Sequence, residues 1–205
     1  VRLAAAVRDG LIHFPPDFIV PIRPMIGVVE LESVAPHQID HCGNMDFNSI
    51  QPNSTVHIRA QKPGGYLSLG DVHARMGDGE LTGTGVEIDS TVTLKVDRSP
   101  GFPTSSPVVE KSQVVESTAE LLTSGRGANW EEALKIAWSE MVGLIADHYD
   151  TTVEYANLIV GTIGDARPGY AAGMLNSRGS SSGGYVTCQI AVTKELRRTG
   201  QPFKP

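Results

Sequence analysis

The sequence predicts a mainly β protein with an α+β addition, a jelly-roll-like β-sandwich carrying a layer made of a helical hairpin. Three observations lead there. The chain carries 22 glycines and 13 prolines in 205 residues, a turn-rich usage that a helical bundle does not need. Short runs in its first half alternate apolar and polar residues with period two, as half-buried strands do. Past residue 129 the apolar spacing changes to that of a helix.

Taken in order, residues 9–24 contain Pro15, Pro16, Pro21 and Pro24. Each fixes its own φ and biases its predecessor out of the helical region, so an extended strap laid over a surface is expected. Residues 26–31 form a short β-branched strand, and 37–53 a polar loop. Residues 55–60 alternate as a strand with one wet face. Pro63, Gly64 and Gly65 turn the chain into a short strand over 66–69, followed by a glycine-spaced loop over 70–85. Residues 86–96 alternate again over two strand lengths, and Pro100, Pro103 and Pro107 close this part. Residues 1–107 are thus expected to be the sandwich part and 108–205 an α+β part packed with it as one unit.

In the second part, 108–117 reads as the edge of a strand pair or as a bridge. Asn129 is an N-cap with the acidic Glu132 at N3, and Ala133, Leu134, Ala137, Met141, Leu144 and Ile145 follow at helical spacing. Thr151 or Thr152 caps a second helix ending near Ile163. Gly179 to Gly184 is a loop, and 185–192 returns as a closing strand. Trp130 and Trp138 lie near one helix face and read as core.

Composition excludes several function classes. With 17 basic and 23 acidic residues the formal net charge is −6, the opposite of a nucleic-acid footprint. No run approaches the roughly 18 apolar residues of a membrane span. Two cysteines, Cys42 and Cys188, make no disulfide scaffold, so a reducing compartment, the cytoplasm, is expected. There is no phosphate-binding loop or dinucleotide fingerprint after a strand.

The densest polar constellation is residues 70–80, with Asp71, His73, Asp78 and Glu80. Asp71 and His73 are two apart and share one face of a strand, the arrangement of a metal-binding or acid–base pair. Glycines around Asp78 permit positive φ and return Glu80 toward the same point. The same segment also reads as a plain hairpin loop with Asp78-Gly79 as its turn pair. A second cluster holds His41, Cys42, Asn44 and Asp46. Its Cys and His lack zinc-site spacing, and adjacent residues on an extended chain point apart, so His41 is badly placed to activate Cys42. Asn44 and Asp46 read either as an oxyanion donor with a water or metal ligand, or as an Asx-turn. Glu87, just past the glycine loop, reads as a neighbour of the site or as plain surface. His57 reads as a surface residue, and His13, His37 and His148 as structural. Ser180, Ser181 and Ser182 lack the elbow of a serine hydrolase.

The segments 42–46 (CGNMD), 69–74 (LGDVHA), 77–80 (GDGE) and 83–87 (GTGVE), in this order and at these gaps, resemble the acetamidase/formamidase family. Residues 24–28, 131–134 and 164–167 also fit its layout. Cys42 stands where the family has glycine, and the chain beyond Gly164 follows the pattern less closely. The resemblance implies a hydrolase of carbon–nitrogen bonds in linear amides or small lactams, acting through water activated by a metal or a carboxylate. On that chemistry Glu80 is the expected general base, Asn44 the oxyanion donor, and Asp78 a further catalytic candidate. Asp46, His73 and Asp71 are the expected ligands of a divalent ion, zinc by ligand type. Family members carry a further N-terminal region. Since the chain opens on Val1 without a Met, a processed precursor is expected, with its N-terminal piece bound as a second chain, in a homo-oligomer. Two other classes stay open: a non-catalytic β-sandwich binding module with a structural metal in the acidic loop, and an amidase using Cys42 as nucleophile.

Overall fold

Short alternating runs separated by glycine- and proline-rich turns favour antiparallel pairing, and every strand pair found here is antiparallel. The structure is a computed structural model. It describes residues 4–32, 43–98, 100, 102–112, 119–171 and 185–196, and it has three sheets and two helices among them. The polar stretch 33–42, with His37, His41 and Cys42, and the 179–184 tract lie outside the described residues.

The proline-studded start is not a strap. It folds as a three-stranded meander of β1 (Ala6–Arg8), β2 (Leu11–Phe14) and β3 (Phe18–Pro21). Pro15 and Pro16 fall in its second turn, and Pro21 ends an outer strand, where a missing N–H costs little.

The second sheet runs in the order β5 (Gly43–Asn44), β4 (Met25–Leu31), β7 (Leu67–Arg75), β8 (Val86–Glu87). The strand expected over 66–69 continues through Gly70, which lies opposite Val28, to Arg75. Asp71 and His73 therefore sit on a strand. The alternation over 86–96 is realised only at Val86–Glu87. A register shift between His73 and Arg75 disrupts the β7–β8 ladder, and residues 88–97 belong to no strand among the described residues. Alternation sets which side chains share a face; it does not supply a neighbour.

The third sheet has the order β11 (Asp165–Pro168), β12 (Val186–Thr193), β10 (Glu120–Gly127), β9 (Val108–Lys111), β6 (Thr55–His57). One of its faces carries α1 (Trp130–Tyr149), with α2 (Val153–Ile163) beside it. Asn129 caps α1 by accepting from Glu132 N, and Thr152 caps α2 by accepting from Tyr155 N. Ala137, Met141 and Ile145 pack against Leu121, Ile190 and Val192. The helix lies so close to β10 that a Cβ at Gly125 would stand 2.0 Å from the Ala133 carbonyl oxygen. On the other face, Val109, Leu122 and Ala191 pack with Val29 of β4 and with Met45, Phe47 and Ile50. That second core seats the 45–50 segment against the second sheet.

Candidate active site

Three backbone segments converge on one point. Met45 N and Asp46 N both donate to the Gly27 carbonyl, at 3.0 and 3.1 Å, which ties the 45–46 segment to β4. Asp71 and His73 project from β7, and Glu87 lies opposite His73 on β8. Glu80 is returned by a tight turn in which its N–H donates to the Gly77 carbonyl at 3.1 Å. Six described non-glycine residues hold positive φ, and Asp46 (50°), Asp71 (56°) and Glu80 (43°) are three of them. Such conformations cost roughly 1–3 kcal/mol each and persist where the surroundings impose them, typically at functional sites.

Asp46, His73 and Glu80 offer ligand atoms that lie within 4.8 Å of one another, at residue exposures of 1%, 0% and 8%. Asp71 and Glu87 form a second such group around the same His73, toward solvent. His73 Nε2 stands 3.1 Å from Glu87 Oε1 and 3.4 Å from Asp71 Oδ1. Neither contact has hydrogen-bond geometry, so both His73 ring nitrogens, like Asp46 Oδ1, are buried without a hydrogen-bond partner among the described residues. Unpaired buried polar atoms are costly, and an imidazole and carboxylates facing one another are a fitting donor set for a divalent ion.

The electrostatics agree. Burial first, then the negative charges of Glu80, Asp71 and Glu87, push the Asp46 carboxyl up to about 8. Glu80 is also raised, chiefly by burial, with His73 opposing and Asp71 and Glu87 adding. Carboxylates crowded in a dry site repel one another unless a proton or a cation sits among them.

Of the expected site residues, Asp46, His73, Glu80 and Asp71 come together. Asn44 adjoins them, its Nδ2 donating to Asp46 Oδ2 at 2.9 Å. Asp78 points elsewhere: it is exposed and accepts from Asn48 Nδ2 at 2.6 Å. Glu87 is part of the cluster, where sequence reasoning also allowed plain surface. Two glycines to which sequence reasoning gave no role form walls of the site. A Cβ at Gly27 would stand 2.5 Å from Asp46 Oδ1, and one at Gly85 would stand 2.8 Å from the His73 ring. Both lie in segments that resemble the family, 24–28 and 83–87, but what each glycine faces is set in space. His57 is not a plain surface residue, since its Nε2 lies 2.6 Å from Glu110 Oε1.

A mainly β scaffold whose loops and strands bury an aspartate, a histidine and a glutamate as an open donor set is the class that fold and site define. The family model for the acetamidase/formamidase family matches residues 26–160, a span containing every residue of the cluster, and the chain belongs to that family. It is 32% identical to a formamidase of Methylophilus methylotrophus over 80 residues, 37% of this chain and 20% of that protein. Its fold is similar to a predicted acetamidase/formamidase from Thermoanaerobacter tengcongensis, with TM-score 0.80 and 26% identity over 92% of this chain and 59% of that one. It is equally similar to an acetamidase from Yersinia enterocolitica, with TM-score 0.80 and 25% identity over 94% and 55%. The matches therefore span a fifth of that formamidase and less than two thirds of these solved chains.

Proposed function

We propose that this chain hydrolyses the carbon–nitrogen bond of small amides, linear or lactam, at the Asp46–His73–Glu80 cluster. The observation that carries the reading is the buried, mutually facing set of ligand atoms on these three residues, with both His73 ring nitrogens and Asp46 Oδ1 unpartnered among the described residues, in a chain of the acetamidase/formamidase family. The donor set suits a divalent ion, zinc by its mixture of imidazole and carboxylate, with Asp46 and His73 as its holders and Asp71 beside them. When bound, such an ion supplies Lewis acidity and lowers the pKa of water toward about 7.

Amide resonance makes the carbonyl a poor electrophile and the amine a poor leaving group. Hydrolysis therefore needs a deprotonated water, a stabilised oxyanion and a proton for the nitrogen. Glu80, desolvated and raised in pKa, is matched to both proton tasks. Its carboxylate takes a proton as the water oxygen bonds to the carbonyl carbon, and returns it to nitrogen as the C–N bond breaks. The products are a carboxylic acid and ammonia or an amine; a lactam instead opens to an amino acid. Asn44 Nδ2 spends one N–H on Asp46 Oδ2; the other is the donor we assign to the oxyanion. Cys188 has no part in this, because burial pushes its thiol up to about 12 and a thiol at that pKa is not a nucleophile. The active assembly we propose is cytoplasmic and oligomeric.

The test is NMR-monitored consumption of formamide, acetamide and a small lactam, before and after chelation and after zinc readdition, with metal content measured in parallel. Consumption that chelation abolishes and zinc restores supports the reading. A folded, metal-loaded assembly that consumes none of them makes the chain a binding module with a structural metal instead.

A further inference from the structure

The backbone that carries Asp46 is gripped from two sheets. On one side the N–H groups of Met45 and Asp46 donate to the Gly27 carbonyl on β4. On the other side, the carbonyls of the same two peptide units are taken by the third sheet. Thr187 Oγ1 on β12 donates to the Met45 carbonyl at 2.7 Å. The Tyr185 hydroxyl, just ahead of β12, donates to the Asn44 carbonyl at 3.2 Å. The rigid peptide planes 44–45 and 45–46 are thus each bound at both ends. The second of them is the near side of the φ torsion at Asp46, which stands at 50°. A non-glycine residue holds such a conformation only where its surroundings impose it.

Strand alternation is what brings Thr187 there. Val186, Cys188, Ile190 and Val192 pack into the helix-side clusters. Thr187 and Gln189 bond to Met45 and Ser49 instead, and Ala191 packs with Met45, Phe47 and Ile50. Thr187 is 1% exposed, and its hydroxyl also accepts from Tyr170 N at 2.6 Å. The main chain is tied to the same turn, since Thr187 N donates to the Tyr170 carbonyl at 2.9 Å and Gly169 N to the Thr187 carbonyl at 3.0 Å. A Cβ at Gly169 would stand 2.3 Å from Thr187 Oγ1 and 2.5 Å from the Met45 carbonyl oxygen, so the contact is closed on that side. Without the hydroxyl, the Met45 carbonyl keeps only Tyr170 N, at 3.2 Å. The 45–46 plane is then free to turn toward the commoner negative φ, which swings the Asp46 carboxylate away from His73 and Glu80.

We propose that Thr187 is a positioning residue for the Asp46 carboxylate, acting through the Met45–Asp46 peptide. The inference rests on the reading of the Asp46–His73–Glu80 cluster as the working, metal-holding site.

The test measures zinc affinity of the whole protein by calorimetry and the visible spectrum of its cobalt-loaded form, which reports ligand geometry. The variants are Thr187→Val, Thr187→Ala, Thr187→Ser, Val192→Ala and Asp46→Ala. Thr187→Val keeps the side-chain shape, and Thr187→Ala removes the hydroxyl without setting a methyl against the Met45 carbonyl. Groups that orient a metal ligand are worth about 10–100-fold in metal affinity, so both should lose about tenfold or more and change the cobalt spectrum. Thr187→Ser keeps the hydroxyl and should restore parental affinity and spectrum. Val192→Ala, on the helix side of the same strand, should lower the melting temperature and leave zinc binding unchanged. In amide turnover, Thr187→Val should lower kcat with KM unchanged, since Asp46 does not hold the substrate. Parental zinc affinity in both Thr187→Val and Thr187→Ala overturns the proposal and leaves the cluster reading standing. Equal losses in Thr187→Ser or Val192→Ala do the same, because they reduce Thr187 to a stabilising residue. Parental zinc affinity in Asp46→Ala, or a parent that takes up no zinc, overturns the cluster reading and the proposal with it.

Discussion

Replacing Gly27 by alanine probes the cluster through a residue that carries no functional group. The added methyl would stand 2.5 Å from Asp46 Oδ1, 2.7 Å from Asp71 Oδ2 and 3.0 Å from the Asp71 carbonyl oxygen. An ordinary contact is near 3.4 Å, so the two carboxylate oxygens must retreat by about 0.9 and 0.7 Å, several times the roughly 0.2 Å tolerance of a metal–ligand distance. The backbone cannot give way, because Ile26 and Val28 on either side of Gly27 are paired to Val72 and Gly70 of β7. Overpacking costs about 1–3 kcal/mol, while loss of glycine freedom in the unfolded chain returns about 0.4–1 kcal/mol. The net is a melting temperature lower by a few degrees in a still folded protein. Displacement of reacting groups by about 1 Å is worth on the order of 100-fold in turnover. The expected result for Gly27→Ala is therefore at least a tenfold loss of zinc affinity by calorimetry and a near 100-fold loss of formamide turnover. The control is Gly70→Ala, where a Cβ meets nothing within 4 Å. If Gly27→Ala binds zinc and turns over like the parent, the carboxylates do not form the working site.

Glu80→Gln should keep the fold by circular dichroism and abolish amide turnover; retained turnover would move the base elsewhere. Glu110 is held down to about 2, first by its hydrogen bond with His57 and also by Lys194. Its folded pKa lies below its unfolded value, so it stabilises the protein fully above about pH 4.5, and that contribution disappears as pH falls toward about 2. Urea titrations of Glu110→Gln should thus show a loss on the order of 2–3 kcal/mol at pH 7 that shrinks below pH 4.5; an equal loss at pH 7 and pH 3 would contradict this. Gly125→Ala should destabilise by more than about 2 kcal/mol, since its Cβ would meet the α1 backbone at Ala133 and Ala137, and a melting temperature within 2 °C of the parent, the small end of about 2–4 °C per kcal/mol, would show that the helix can lift.

Where structure is local, the amino-acid order was enough. Asn129 with Glu132, followed by apolar residues at helical spacing, marks the start and the buried face of α1, because a cap and a period are both properties of neighbouring residues. The same holds for the face shared by Asp71 and His73, two apart on β7, and for the turn at Gly79 that returns Glu80. Asp78 shows the limit: its spacing from Glu80 resembles that of a cluster member, yet it is exposed and bonded to Asn48 instead.

Everything that depends on which segments become neighbours was decided by the tertiary structure. Nothing in residues 86–96 says that pairing stops after Glu87. Nothing in Gly27 or Gly85 says that carboxylates and an imidazole will crowd their missing side chains. The raised pKa of Asp46 arises in the same way, from burial and from charges 25 to 41 positions away along the chain. Desolvation, close packing and Coulomb interaction act through space, so their outcome is set only once the sheets have brought those distant residues to within a few ångströms.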